Sequence, residues 1–404
     1  MLIVLGISMS IVEDAYTDEF KLTPSVAVKE EYNDNILYST TNTQKGFITT
    51  LSPGLALTDR TERMDLSLSG RLDHRLYSSH RDLNATDQYY EGSGKYAFTP
   101  RLNLSGKALY SRDSLPGRDF ETSGLSLSNV KRDRQNYTFS GDYLLSEKTM
   151  NTFSYDYLND KYDSISYTDL EANTFNIGFI RDMSGVFEST KARLNMGYAK
   201  YRTPTPGMKV DNYEATIGID RALNEKWNLL FDGGARYTIT ETRFTVLELF
   251  QPFPPLPIFN LVPVEKTERN RGWGMVVQLA LTYKGERNSG SISASIDLLS
   301  ASGYSGSTER TSFAFYVSRR FTYELYGTLS GGYYINKSKA GEFSTRKTDE
   351  NMMRISPGIR YEFDKDKAIE ASYTYNKTKY NVSNAEAQRN TFFVRFRMQH
   401  HLFQ

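Results

Sequence analysis

Between Met64 and Ser78 the chain reads MDLSLSGRLDHRLYS, an alternation of apolar and polar residues with a period of two. In a strand, Met64, Leu66, Leu68, Gly70, Leu72 and Leu76 share one face, and Asp65, Ser67, Ser69, Arg71, Asp73 and Arg75 share the other. The same pattern returns in RLNLSGKALYSR (Arg101 to Arg112), KWNLLFDGGARYTI (Lys226 to Ile239) and TYELYGTLSGGYYI (Thr322 to Ile335). These runs last about 10 to 14 residues, against about 5 or 6 for an ordinary strand. A tilted strand needs about 9 to 11 residues to cross a bilayer. The length and period together call for strands that face two different solvents.

The connections alternate in length. TDRTER (Thr58 to Arg63), SEKT (Ser146 to Thr149), ALNE (Ala222 to Glu225), KGERN (Lys284 to Asn288) and DKDK (Asp364 to Lys367) are tight polar turns. Long links lie between them, among them Ser114 to Arg134 and a Pro-rich stretch near Gln251. Short turns on one side and long loops on the other are the layout of outer-membrane barrels, and the runs number about 18, an even count. Both termini then fall on the short-turn, periplasmic side. No apolar stripe of helical period with caps interrupts the pattern. The expected fold is all-β, a transmembrane antiparallel up-and-down barrel over residues 16–404 as one domain. A propeller or tandem sandwich would carry doubly buried strands with continuous Val, Ile and Leu runs, which are absent.

Composition fits once the alternation is seen. The mean hydropathy of -0.54 looks like that of a soluble chain, but only the outward half of each strand must be apolar. With 49 basic against 48 acidic side chains, bulk charge gives no reason to expect a nucleic-acid partner. The absence of Cys excludes disulfides, thiolate metal sites and lipidated cysteine anchors. No window is apolar over the roughly 18 to 20 residues that a membrane-spanning helix needs. MLIVLGISMSIV at the start has the size of a signal-peptide core without the preceding Lys or Arg, so residues 1–15 are expected to be an export-signal remnant or a disordered N-terminus.

Aromatic residues gather at run ends, as in YNDNILY (Tyr32 to Tyr38), YDYLNDKY (Tyr155 to Tyr162) and YTYNKTKY (Tyr373 to Tyr380), where amphipathic rings suit the headgroup level. The final run, NTFFVRFRMQHHLFQ, looks like the C-terminal strand of outer-membrane barrels, with Phe403 as its near-terminal aromatic. EEYNDNILYS followed by GFITTLSPGLAL (Gly46 to Leu57) resembles the outer-membrane beta-barrel porins associated with exopolysaccharide synthesis and export loci. Tyr32, Asp34 and Asn35 stand at that family's first loop, and LSPGL (Leu51 to Leu55) stands at its second strand; ISPGIRYEF (Ile355 to Phe363) echoes the latter. The resemblance covers about the first 60 residues closely and the remainder in architecture. It implies a passive outer-membrane channel of a Gram-negative bacterium that lets a polysaccharide or its precursors cross. Pro53 and Pro357 fall inside strands, where a missing N–H predicts a bulge.

The alternation also sorts the lumen wall. Lys29, Arg71, Arg75, Arg354, Arg360, Arg395 and Arg397 are expected to line a basic arc, diluted by Glu31, Asp65, Asp73, Glu362 and Glu370. Asp142, Asp156, Glu214, Asp220, Asp232, Asp297 and Glu324 are expected to line an acidic arc opposite, diluted by Lys191, Arg193 and Arg236. Two facing arcs would orient hydrated, dipolar solutes; cross-strand pairing of the same charges is the plainer use of a polar wall. The external stretch QPFPPLPIFNLVPV offers Pro252, Phe253, Pro254, Pro255, Leu256, Pro257 and Phe259 as a plug, a partner loop, or the end of an extended hairpin.

Enzyme chemistry has little to stand on. The four His are His74 on the lipid face, His80 in a loop, and His400 and His401 at the periplasmic edge, none with partners for nucleophilic catalysis. No cofactor or metal is expected, because Cys is absent and no metal-loop spacing occurs. GSGK (Gly92 to Lys95) lacks the earlier Gly of a phosphate loop and reads as strand. The alternatives to an export channel are a scaffold or receptor with a plugged lumen, and a general or sugar-selective porin. Expected partners are outer-membrane lipids and lipopolysaccharide, saccharides in the lumen, and a periplasmic export component.

Overall fold

The alternating runs pair with their sequence neighbours all the way round. The computed structural model describes residues 19–114, 130–204, 207–250, 260–300, 306–338 and 347–402. Its strands are β1 (Glu19–Asn33), β2 (Gly46–Arg60), β3 (Met64–Tyr77), β4 (Ala85–Thr99), β5 (Leu102–Asp113), β6 (Arg132–Ser146), β7 (Thr149–Tyr162), β8 (Leu170–Asp182) and β9 (Thr190–Thr203). They continue with β10 (Met208–Ala222), β11 (Trp227–Phe250), β12 (Asn260–Lys284), β13 (Asn288–Ser300), β14 (Ser307–Arg320), β15 (Leu325–Ser338), β16 (Thr348–Glu362), β17 (Lys367–Tyr380) and β18 (Ala385–Gln399). All 18 belong to one antiparallel sheet, and β1 pairs with β18 from Ser25↔Gln399 to Asn33↔Thr391. Closure removes the two edges that an open sheet would expose. One 3-10 turn, Arg81–Leu83, is the sole helical element among the described residues.

Burial is inside-out relative to a soluble protein. Phe47, Leu55, Phe139, Phe175 and Ile177 are exposed, whereas Arg75, Asp87, Asp232, Thr238 and Asn336 are buried. In β3 the opening alternation resolves directly: Leu68, Leu72 and Leu76 point outward, and Arg75 and Tyr77 point into the barrel. Outward aromatics mark the two membrane interfaces. Trp227 packs on Tyr283 at the periplasmic end with ring centroids 4.8 Å apart, and Tyr237 packs on Trp273 at 4.9 Å toward the outside. Trp273 and Tyr283 lie ten positions apart on β12, which for a tilted strand is about 25 Å, the height of an apolar band.

The prolines cause no bulge. Pairing passes from Leu51↔His74 to Gly54↔Arg71, and from Ile355↔Tyr375 to Gly358↔Ser372, with the register unchanged. On the other side Val26↔Pro53 and Leu329↔Pro357 are ordinary rungs. Each proline thus costs the rungs its missing N–H would serve, and the strand stays straight. Register shifts occur instead near the short turns, at Ala97/Thr99 and Leu144/Ser146. A Cβ on Gly54 would sit 2.9 Å from the Ser25 hydroxyl, and one on Gly358 2.9 Å from that of Thr328, so the residue after each proline has to be small.

β11 and β12 are longer than the rest, at 24 and 25 residues, and pair as far as Phe250↔Asn260. Above Trp273 they run on as a hairpin outside the band. Leu261 to Val264 of the Pro-rich stretch are therefore strand, while Pro252, Phe253, Pro254, Pro255, Leu256, Pro257 and Phe259 lie outside the described residues, as do residues 1–15.

Candidate functional site

The wall departs from regularity between β12 and β13. Their pairing runs only from Lys284↔Ser289 to Val277↔Ile296. β12 then continues with β11 alone, and β13 continues with β14 up to Ser300↔Ser307. Leu298 sits on the face that carries the outward Ile292, yet it is 2% exposed and packs against Met208 and Val210 of β10 and Tyr201 of β9. Those partners occupy inward positions, so the outer end of β13 has parted from β12 and lies against the inner face of β9 and β10, while β14 stays paired to β15 as far as Glu309↔Lys337. Glu309 confirms the path with an ion pair to Arg236 of β11, whose side chain is wholly buried. The guanidinium lies over Gly274 of β12, where a Cβ would come within 2.4 Å of its central carbon, so only glycine leaves room for it. Ser307 and Thr308 are buried beside it.

Below this end of the β13–β14 hairpin is a cavity of about 580 Å³. Asn176, Asn195, Thr216, Gln278, Ser295 and Ser312 line it, together with Arg193, Glu214, Asp232, Asp297 and Arg310. Arg193 Nε stands 3.2 Å from Asp232 Oδ1, and Asn195 Nδ2 donates to Thr216 Oγ1 at 3.2 Å and to Asp232 Oδ1 at 3.4 Å. The wall is therefore a set of held donors and acceptors of both kinds, able to exchange water for a hydroxyl-rich solute. Among the described residues no group of His, Cys, Asp and Glu is placed to hold a metal ion.

A second element folds inward beyond β15 to β18, the connection from Asp34 to Lys45 between β1 and β2. The Asp34 carboxylate accepts from the Asn390 amide at 2.7 Å and from its side-chain nitrogen at 2.6 Å. Asn35 Nδ2 donates to the carbonyls of Ser39 and Gln388, both at 2.8 Å. Held this way, Ile36 enters a cluster with Ile48 and Tyr77, and Tyr38 enters one with Tyr334, Met352 and Ala387. The Tyr38 and Thr378 hydroxyls share a hydrogen bond of 2.8 Å, and Arg389 covers the Tyr38 ring at 4.9 Å. Asp34 and Asn35 of the first-loop motif thus fasten a loop; they do not present a ligand site. Tyr334 joins the two inward elements, since Arg310 of the hairpin lies over its ring, 4.1 Å from the centroid.

The residues singled out from sequence distribute unevenly. Lys29, Arg71, Arg75, Arg354, Arg360, Arg395 and Arg397 share parity with the buried, inward residues of their strands. Most have local carboxylates: Lys29 with Glu31 at 2.7 Å, Arg71 with Asp73 at 3.0 Å, Arg75 with Asp87 at 2.7 Å, Arg360 with Glu362 at 2.5 Å and Arg395 with Glu370 at 2.6 Å. They are spread over four strands and meet at no single point. Asp142, Asp156 and Asp220 also take inward positions, and Glu214, Asp232 and Asp297 come together in the cavity. Glu324 is corrected: it belongs to the turn before β15, at the periplasmic rim, because Thr322 Oγ1 accepts from the amides of Glu324 and Leu325 and closes a turn there. Of the residues that shape the site, Arg236 was legible as a lumen-facing charge, while Leu298, Glu309 and Arg310 carried no signal beyond the paired Leu298 and Leu299 that break the alternation.

Residues 15–182 match the family described as "Putative beta-barrel porin 2". No curated protein matches the chain. Among solved structures, OccK2 (OpdF) of Pseudomonas aeruginosa is 8% identical over 95% of this chain and 98% of its own, with a TM-score of 0.47. The ferric-catecholate import receptor Fiu of E. coli K12, in its open form, is 9% identical over 95% of this chain and 82% of its own, with a TM-score of 0.49. OmpTdeltaL8 of Vibrio cholerae, an outer membrane protein, is 9% identical over 96% and 100%, with a TM-score of 0.41. The closed wall, the apolar band and the family match put the barrel in the outer membrane of a Gram-negative bacterium.

Proposed function

We propose that this outer-membrane barrel of porin type is a passive channel for hydrated saccharides, with an exopolysaccharide leaving the cell as its cargo. The observation that carries the reading is the cavity wall of Asn, Gln, Ser, Thr and carboxylate groups beneath the inward hairpin. Sugar hydroxyls donate and accept at once, so a wall holding both kinds of group replaces their water without leaving buried partners unpaired. The resemblance of the first strand pair to porins of exopolysaccharide loci supports a polymeric cargo. Single-channel conductance of the refolded chain in a planar bilayer tests this. The expected result is a steady current that linear oligosaccharides reduce, longer ones more than shorter. A current indifferent to sugars would point to a general porin. No current from an inserted barrel would favour the scaffold or receptor reading, which the two inward-folded elements make the natural second choice.

The charge arcs belong to the same proposal. Arg395 and Arg397 lie on β18 at the closing seam, away from Glu214 and Asp232 on β10 and β11, and Arg397 has Arg360, Arg395, Glu362 and Glu370 as its charged neighbours. Their lateral field would bias the ions that carry the current. Arg395→Glu with Arg397→Glu is expected to shift the reversal potential toward cation preference in a salt gradient. An unchanged potential would mean that the pairs, among them Arg395 with Glu370, cancel the field locally.

A further inference from the structure

Among the described residues, the wall has a gap between the two aromatic girdles. β12 crosses the band from Tyr283 to Trp273, but β13 accompanies it only to the Val277↔Ile296 rung. Val276, Met275, Gly274 and Trp273 have β11 on one side, through Ala235 and Tyr237 among others, and no β13 rung on the other. For a tilted strand that is about 10 Å of wall, at the level of the outer leaflet. Hydrocarbon offers no partner to an open strand edge, so such an edge is tolerated only where water or a polar group faces it. At Val276, the lower end of the parting, the lumenal cavity brings such groups to the edge. Its lining includes Val276 and Val277 on one side of the parting, and Ile296, Asp297 and Leu299 on the other. On the lipid side Trp273 and Met275 stand 76% and 60% exposed. The hairpin is held away from β12 by Leu298 in its cluster and by the Arg236–Glu309 pair, so the parting is fastened open.

We infer that this parting is a lateral port between the lumen and the outer leaflet, and that it takes an amphiphile. A saccharide head occupies the cavity among Asn195, Thr216, Asp232 and Gln278, and an apolar tail leaves above the Val277↔Ile296 rung, past Val276, into the bilayer. The inference rests on the saccharide-channel reading and adds to it a second exit and a lipid-bearing class of ligand.

Two measurements on the full chain test the port. Benzoylphenylalanine in place of Val276, in phosphatidylcholine vesicles, is expected to form lipid adducts on illumination, as it does in place of the outward Met275. In place of Ser140, an inward residue of β6, it is expected to form none. Position 276 labelling no more lipid than position 140 would overturn the port. In the unaltered chain, dodecyl maltoside added from the periplasmic chamber is expected to block the current at least about tenfold below maltose, since burying two methylenes of its tail already supplies that factor. Equal potency would overturn the tail's exit. If oligosaccharides block while both tests fail, the port falls and the channel stands. If sugars have no effect but position 276 labels lipid, the saccharide reading falls and the opening in the wall stands.

Discussion

Replacing Leu298 to Glu309 by a two-residue Asn-Gly turn is expected to raise single-channel conductance severalfold. Asp297↔Arg310 is already a paired rung, so a type I′ turn closes the shortened hairpin without disturbing the wall. β14 keeps its pairing to β15 from Arg310↔Asn336 onward. What is lost is the tip: Leu298 leaves the cluster with Met208 and Val210, and Arg236 loses Glu309. An 18-stranded wall encloses an aqueous channel when nothing fills it, and here the tip takes up lumen against β9 to β11. Arg236 then faces water, so the change opens space without leaving a charge buried. Unchanged conductance would move the constriction to the Asp34–Lys45 connection, whose removal would then become the decisive variant.

That hairpin marks the limit of what the sequence discloses. Period-two alternation in runs of membrane-spanning length is local, and it reveals the strand count, the closure and the facing of Arg71, Asp142 or Arg395 without any long-range knowledge. The inward fold depends on contacts between distant residues. Arg236 and Glu309 are 73 positions apart, and the guanidinium needs a glycine on a third strand, Gly274. Within IDLLS, Leu298 and Leu299 look like two more wall residues. The first-loop motif was legible as a motif, but its task of clamping Asn390 and Gln388 was not, because those partners lie at the other end of the chain. Glu324 shows the opposite failure. TYELYG alternates as a strand should, yet the Thr322 hydroxyl captures two amides and makes a turn of its first residues.

Asp87→Ala is expected to destabilise the barrel by about 3–5 kcal/mol, read from the midpoint of urea unfolding in lipid vesicles. Arg75 and Asp87 are 4% and 3% exposed and meet at 2.7 Å, with the Ser114 hydroxyl bonded to both. Truncating the aspartate leaves the buried guanidinium with the Tyr77 and Ser114 hydroxyls in place of a bonded carboxylate. The double variant Arg75→Met with Asp87→Leu is expected to regain most of the loss, since it removes both charges and keeps the volume. Arg60 and Asp65 give the contrast: they meet at 3.2 Å but are 62% and 50% exposed at the periplasmic rim, so Asp65→Ala should cost no more than about 1 kcal/mol. Equal effects at the two sites would sink the claim that the extracellular half is the packed one. Arg132 with Asp113 and Arg134 with Asp160 continue the buried series around the outer ends of β5 to β7. Rigidity is thus concentrated where the inward elements are anchored, while the exposed pairs of the periplasmic half leave a wet vestibule.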